Sequence, residues 1–238
     1  MTENSCVSVV RDNLRRIREQ MAEACVQAGR GEGAARLMAV TKTVDALRIN
    51  AALSEGVDLI GENRVQEFLG KRDALHLDGV ECHLIGHLQT NKVRQIVGKV
   101  GMIQSVDSER LAEAIDRASA AQGIVTPVLV EVNIGGEHSK SGIAAEQLDE
   151  LLGKMAEMAH IRVKGLMTIP PICEKETERR QFFSQMYRLY VDRKAKKVDN
   201  IDMDILSMGM SADFREAILE GSTLVRVGSA LFGERIYT

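Results

Sequence analysis

A chain of 238 residues, 45% hydrophobic and 27% charged, can bury one continuous core, and its formal net charge of −3 lacks the basic surplus of a general nucleic-acid binder. Cys6, Cys25, Cys82 and Cys173 stand far apart with no C-x-x-C pair, a pattern that fits a reduced intracellular protein and gives no metal cage. No apolar run approaches the roughly 20 residues of a membrane span, and the N-terminus has no apolar signal core, so the expectation is a cytoplasmic protein with neither nucleic acid nor membrane as partner.

Val10, Leu14, Ile17, Met21, Ala24 and Ala28 recur at steps of three and four and predict an opening helix that Gly29 stops. The run Leu37-Met38-Ala39-Val40-Thr41-Lys42 reads as a first strand, followed by a helix through Ala46, Leu47 and Leu53 to Gly56. Val57–Gly61 is a second strand, Val65 to Leu75 a helix, Glu81–Gly86 a third strand, and Val93, Ile96 and Val97 a further helix. Met102–Val106 is a fourth strand, after which Ser108 caps a helix that runs to Gly123. Pro127–Val132 is a fifth strand, Leu148 to Met155 a helix, and Val163–Thr168 a sixth strand. A long helix with Phe182, Met186, Leu189 and Tyr190 leads to a strand over Met203–Ser207, a helix from Ser211 to Gly221, and a last strand over Thr223–Val227. Eight short apolar strands alternate with helices and no linker interrupts them. This predicts an α/β fold, a single (β/α)8 barrel over residues 1–238 with an extra N-terminal helix, in preference to an open sheet.

Ligands of parallel barrels bind at the C-terminal ends of the strands, so the residues after each apolar run are the candidates. They include Lys42, Asn63, His87, the glycine-bearing loop Ile134–Gly142, Ser207-Met208-Gly209-Met210-Ser211, Arg226 and Gly228-Ser229. The Ser207–Ser211 and Gly228-Ser229 segments follow strands seven and eight, where barrels commonly hold phosphate on backbone N–H groups at helix starts. Each segment alone reads first as an ordinary N-cap and turn, but two at paired positions reverse that preference and favour an anion site. Lys42 alone reads as a strand-end lysine reaching for solvent. Beside a phosphate site it gains a second reading, an imine-forming amine, and pyridoxal 5′-phosphate (PLP) needs both features. The charged stretches from Glu174 to Arg180 and from Arg193 to Lys197 read as solvated helix faces.

The segments LMAVTKT, LIGENRVQEF, HLIGHLQTNKV, IQSVDS, VLVEVNIGGEHSKSG, GLMTI, LSMGMSADFREAI and LVRVGSALFGER together resemble the YggS/PROSC family of pyridoxal phosphate homeostasis proteins, from Leu37 to Arg235. The resemblance implies a PLP barrel of fold type III, the alanine racemase type, without that enzyme's second domain. It implies that Lys42 forms the internal aldimine, that Ser207, Met208, Gly209, Gly228 and Ser229 bind phosphate with Asn63 nearby, and that Arg226 faces the pyridine nitrogen. Lys140 matches a loop lysine beside the site. The resemblance also implies a monomeric, non-catalytic carrier that holds PLP and supplies apo-enzymes. A small racemase using Lys42, alone or with His87, and a PLP-free aldolase using Lys42 are the alternatives. Tyr187, Tyr190 and Tyr237 lie on no strand-end loop, against the tyrosine a racemase would need.

Overall fold

The computed structural model describes residues 3–137 and 141–233; Lys140 and Tyr237 lie outside them. Eight strands close into a parallel barrel in chain order: β1 (Arg36–Val40), β2 (Leu59–Glu62), β3 (Glu81–Leu84), β4 (Met102–Val106), β5 (Thr126–Glu131), β6 (Ile161–Met167), β7 (Ile201–Met210) and β8 (Leu224–Val227), with β8 paired to β1. The expected alternation holds because each strand is short and apolar, and each is followed by a segment with helical periodicity. The principal helices are α1 (Glu3–Gln27), α2 (Ala46–Ser54), α3 (Val65–Lys71), α4 (Val93–Ile96), α5 (Glu109–Ala120), α6 (Leu148–Ala156), α7 (Glu176–Lys196), α8 (Phe214–Leu219) and α9 (Ser229–Phe232).

The main core lies between the strands and this helical layer. Helix α1 buries the predicted stripe of Val10, Leu14, Ile17, Met21 and Ala24 in it, against α2, α8 and α9. Ser108 caps α5 as expected, accepting the Leu111 N–H. In α7 the core position belongs to Phe183 rather than Phe182, a shift of one residue along a helix with two adjacent phenylalanines. No described helix is long and apolar enough to cross a membrane.

The barrel interior is filled separately. One small cluster holds Met38, Val40, Leu59, Ile85 and Leu224, and a second holds Met102, Leu129 and Met167. Buried polar side chains lie in the barrel besides these two clusters, His83, Gln104, Ser207 and Arg226 among them.

Two expectations need correction. The first strand stops at Val40, so Lys42 stands on the turn after it. Strand β7 does not stop at Ser207 but runs to Met210, and α8 starts at Phe214, with Asp213 at its N-cap position, not at Ser211. Its pairing with β8 slips between Ser207 and Met210, so a bulge keeps extended backbone where the glycine signalled a loop. A second slip, between β6 and β7, falls at Gly165, whose φ of +147° and separation of 1.8 Å between an added Cβ and the Ile205 carbonyl oxygen leave no room for a side chain. Gly165→Ala should therefore cost about 3 kcal/mol, seen as a melting temperature lower by about 10 °C in calorimetry.

Candidate functional site at the barrel mouth

The turn after β1 is held on both sides of Lys42. Before it, the buried Thr41 donates its hydroxyl to Glu62 Oε1, and its carbonyl oxygen accepts from Lys71 Nζ at 2.7 Å. After it, Thr43 adopts a left-handed φ of +60° and gives its N–H to Glu67 Oε1. Lys71 also meets Glu62 at 2.6 Å and Glu67 at 3.1 Å, the latter one helical turn away on α3. A buried carboxylate, a partly buried ammonium and one left-handed residue thus fix the backbone that carries Lys42. Burial raises the Glu62 pKa, and the hydrogen bonds from Lys71 and Thr41 oppose that rise.

Lys42 lines a cavity of about 260 Å³ at the C-terminal mouth, with Val40, Asn63, Ile85, Ile169, Met210, Ser211, Ala212, Arg226, Gly228 and Ser229. That volume lies just below the usual range of ligand pockets, about 300–1,000 Å³, and admits one small molecule. Arg226 is buried on β8 and donates from Nη1 to Ser207 Oγ at 2.7 Å and from Nη2 to the Thr168 carbonyl oxygen at 2.8 Å. Burial pushes its pKa down to about 10, against the pull of Glu131 and Asp213, so the guanidinium is charged at neutral pH. After β2, on another part of the lining, Asn63 Oδ1 is buried with no hydrogen-bond partner. An orphaned amide oxygen in a cavity wall marks a position where a ligand group would satisfy it.

The remaining corner is built by the turn after β7. Asp213 accepts the Met210 N–H at 2.6 Å and closes the turn that presents Ser211 and Ala212. Ser211 Oγ then accepts two backbone N–H groups, from Gly228 at 3.1 Å and from Ala230 at 3.2 Å. Ser211 Oγ thus stands where an anionic oxygen would accept both donors, and its own proton is left to donate into the cavity.

Five of the eight residues expected at the site meet on this cavity: Lys42, Asn63, Arg226, Gly228 and Ser229. Ser207, Met208 and Gly209 lie outside its lining, because β7 continues through them. Ser207 supports Arg226 from inside the barrel, and Met208 is buried in the core under the helices. Gly209, at φ +93°, lets α8 pack close, since an added Cβ would stand 2.5 Å from the Ala217 Cβ. His87 also stays out of the lining; it is exposed and faces Asp107 at 3.5 Å. The sequence reading missed Gln104, His83 and Glu131, because residues inside apolar strands read as core. Ser211 was legible only as part of its motif.

These features define a barrel with a turn lysine, a buried strand-eight arginine and a paired-loop anion corner at one mouth. The sequence profile of the alanine racemase N-terminal domain matches residues 8–236. Pyridoxal phosphate homeostasis proteins of Aquifex aeolicus and Escherichia coli K12 are 44% and 37% identical, each over 95% of this chain and over 98% and 97% of their own lengths. PipY of Synechococcus elongatus PCC7942, in a structure with PLP bound, superposes with a TM-score of 0.83 at 30% identity, covering 94% of this chain and 100% of its own. The chain belongs to the family of pyridoxal phosphate homeostasis proteins.

Glu131, at the end of β5, is buried with the Asp107 charge nearby, and its pKa is raised from 4.5 to about 7, with burial the larger cause. An acid whose pKa is raised by folding stabilises the fold at low pH and loses that contribution as pH rises through the folded value. Urea unfolding should show wild-type stability falling by about 3 kcal/mol between pH 4.5 and 8, a slope that Glu131→Gln flattens.

Proposed function

We propose that this protein binds PLP at the barrel mouth, holds it covalently through Lys42, and supplies it to apo-enzymes without catalysing a reaction of its own. The observation that carries the reading is the meeting of Lys42, Arg226 and the Ser211–Gly228–Ser229 corner on one small cavity. These groups fit PLP by charge and by donor type. The hydroxyls of Ser211 and Ser229 would donate to the phosphate, and the Gly228 and Ala230 N–H groups would join them where the phosphate displaces Ser211 Oγ. Arg226, a donor-only group, would face the ring nitrogen and keep it unprotonated. Asn63 would hydrogen-bond a ring substituent, and Lys42 would bond the aldehyde carbon. When bound, PLP supplies that aldehyde and an electron-withdrawing ring.

An unprotonated ring nitrogen makes the ring a weaker electron sink, which favours holding over transformation. Further support comes from the absence of a second proton-transfer group on the cavity wall among the described residues: His87 is outside it, Tyr187 packs beside Gly221, and the Tyr190 hydroxyl donates to the Met203 carbonyl. Homologues named for PLP homeostasis support the same reading. The carrier acts as a single barrel domain, as a monomer in the cytoplasm.

Purified protein should be yellow, and borohydride should fix the pyridoxyl group on the peptide containing Lys42. Lys42→Ala should keep PLP on the remaining contacts with affinity lower by about two orders of magnitude and lose the visible band. A visible band retained in that variant assigns the bond to another lysine. Holoprotein mixed with an apo-enzyme should activate it at least as fast as free PLP at matched concentration, and sustained α-proton exchange of amino acids would contradict the carrier.

A further inference from the structure

Arg226 does not end its contacts at Ser207. Ser207 Oγ donates to Gln104 Oε1 at 2.8 Å, Gln104 Nε2 donates to His83 Nδ1 at 2.9 Å, and His83 Nε2 meets Glu81 Oε2 at 3.2 Å. Arg226, Ser207, Gln104 and His83 are all buried, while Glu81 is about half exposed at the N-terminal end of β3 and pairs there with Arg36 at 3.2 Å. The chain therefore runs through the barrel from the mouth to the opposite end.

Its direction has one solution. A guanidinium can only donate and an ionised carboxylate can only accept, so every group between them must accept from the Arg226 side and donate towards Glu81. The single Ser207 proton goes to Gln104 Oε1, which leaves its lone pairs for Arg226. Turning the Gln104 amide round would set Oε1 against His83 Nδ1, draw the imidazole proton there and leave a bare Nε2 facing the Glu81 carboxylate. His83 must then be neutral with its proton on Nε2, and burial, which pushes its pKa down to about 4, keeps it so. Barrel interiors are normally filled by branched aliphatic residues, and buried polar groups are retained only where each is satisfied.

Resting on the PLP reading of the site, we infer that Gln104 and His83 are positioning residues for Arg226: their one-way hydrogen-bond chain through Ser207 fixes the guanidinium edge that the cavity presents to its ligand. With Nη1 held by Ser207 and Nη2 by Thr168, the group cannot rotate, and the ligand atom it meets must be an acceptor.

The test compares Gln104→Met with Leu129→Ala, which opens a cavity in the neighbouring interior cluster at a position whose strand partner is Gly165 and not a member of the chain. Both should lower the melting temperature. Only Gln104→Met should weaken PLP binding, about tenfold, and move the pH midpoint of the visible band. Equal affinity and an unchanged pH profile in both variants overturn the inference while leaving the PLP reading intact. A second measurement needs neither variant nor ligand. In the wild-type chain, nitrogen-15 NMR should show the Arg226 guanidinium protons as separate, slowly exchanging signals, and free rotation of that group also overturns the inference. A wild-type chain that takes up no PLP ends the reading of the site, and the NMR result then decides the positioning role alone.

Discussion

Burying the Arg226 guanidinium inside a parallel barrel is the constraint around which the site is arranged. A charged group there is tolerated only with partners on its donors and opposite charge within reach. Ser207 and the Thr168 carbonyl oxygen supply the partners, and Glu131 and Asp213 supply the charge. Serving Ser207 in turn requires Gln104, and Gln104 requires His83. His83, Gln104, Ser207 and Arg226 lie on β3, β4, β7 and β8, so the hydrogen-bond chain of one cation at the mouth draws on half the strands of the barrel. The apolar packing of the interior is correspondingly divided into two clusters, which is the form a barrel core takes when polar groups stand within it.

A second charge arrangement supports the adjacent wall of the cavity, after β1. Lys71 joins Glu62, Glu67 and the Thr41 carbonyl, and α3 thereby grips the turn on which Lys42 stands. The left-handed Thr43 is retained because its N–H bonds to Glu67. Lys42 and Arg226 are therefore carried by separate networks, Lys42 on a turn tied to α3 and Arg226 on β8. Such a site is preorganised for a small anionic ligand, since little ordering remains to be done on binding. The anion corner is the smallest part, formed by Ser211, which the turn after β7 sets against the Gly228 and Ala230 N–H groups that follow β8.

The fold was legible because its periodicity is simple. Each strand is a short apolar run, each helix buries a stripe of three-and-four spacing, and only their ends moved. Lys42, Asn63, Arg226, Gly228 and Ser229 were legible because strand ends are where a parallel barrel places its ligands. The segment Ser207-Met208-Gly209 misled because glycine usually breaks a strand; here the bulge absorbs it, and the glycine serves the approach of α8. Gln104, His83 and Glu131 were not legible at all. A polar residue inside an apolar strand has the same local pattern whether it faces solvent or its neighbours across the barrel. Only closure of the barrel, which sets Ser207 beside Gln104 at a sequence distance of 103 residues, shows which it is.

A crystal structure of the protein grown with PLP tests the account most directly. The account predicts the phosphate on Ser211, Gly228 and Ser229, the ring nitrogen facing Arg226, and continuous density from the cofactor to Lys42 Nζ, with the Arg226 side chain unmoved. A phosphate seated on Arg226, or PLP bound away from this cavity, would contradict it.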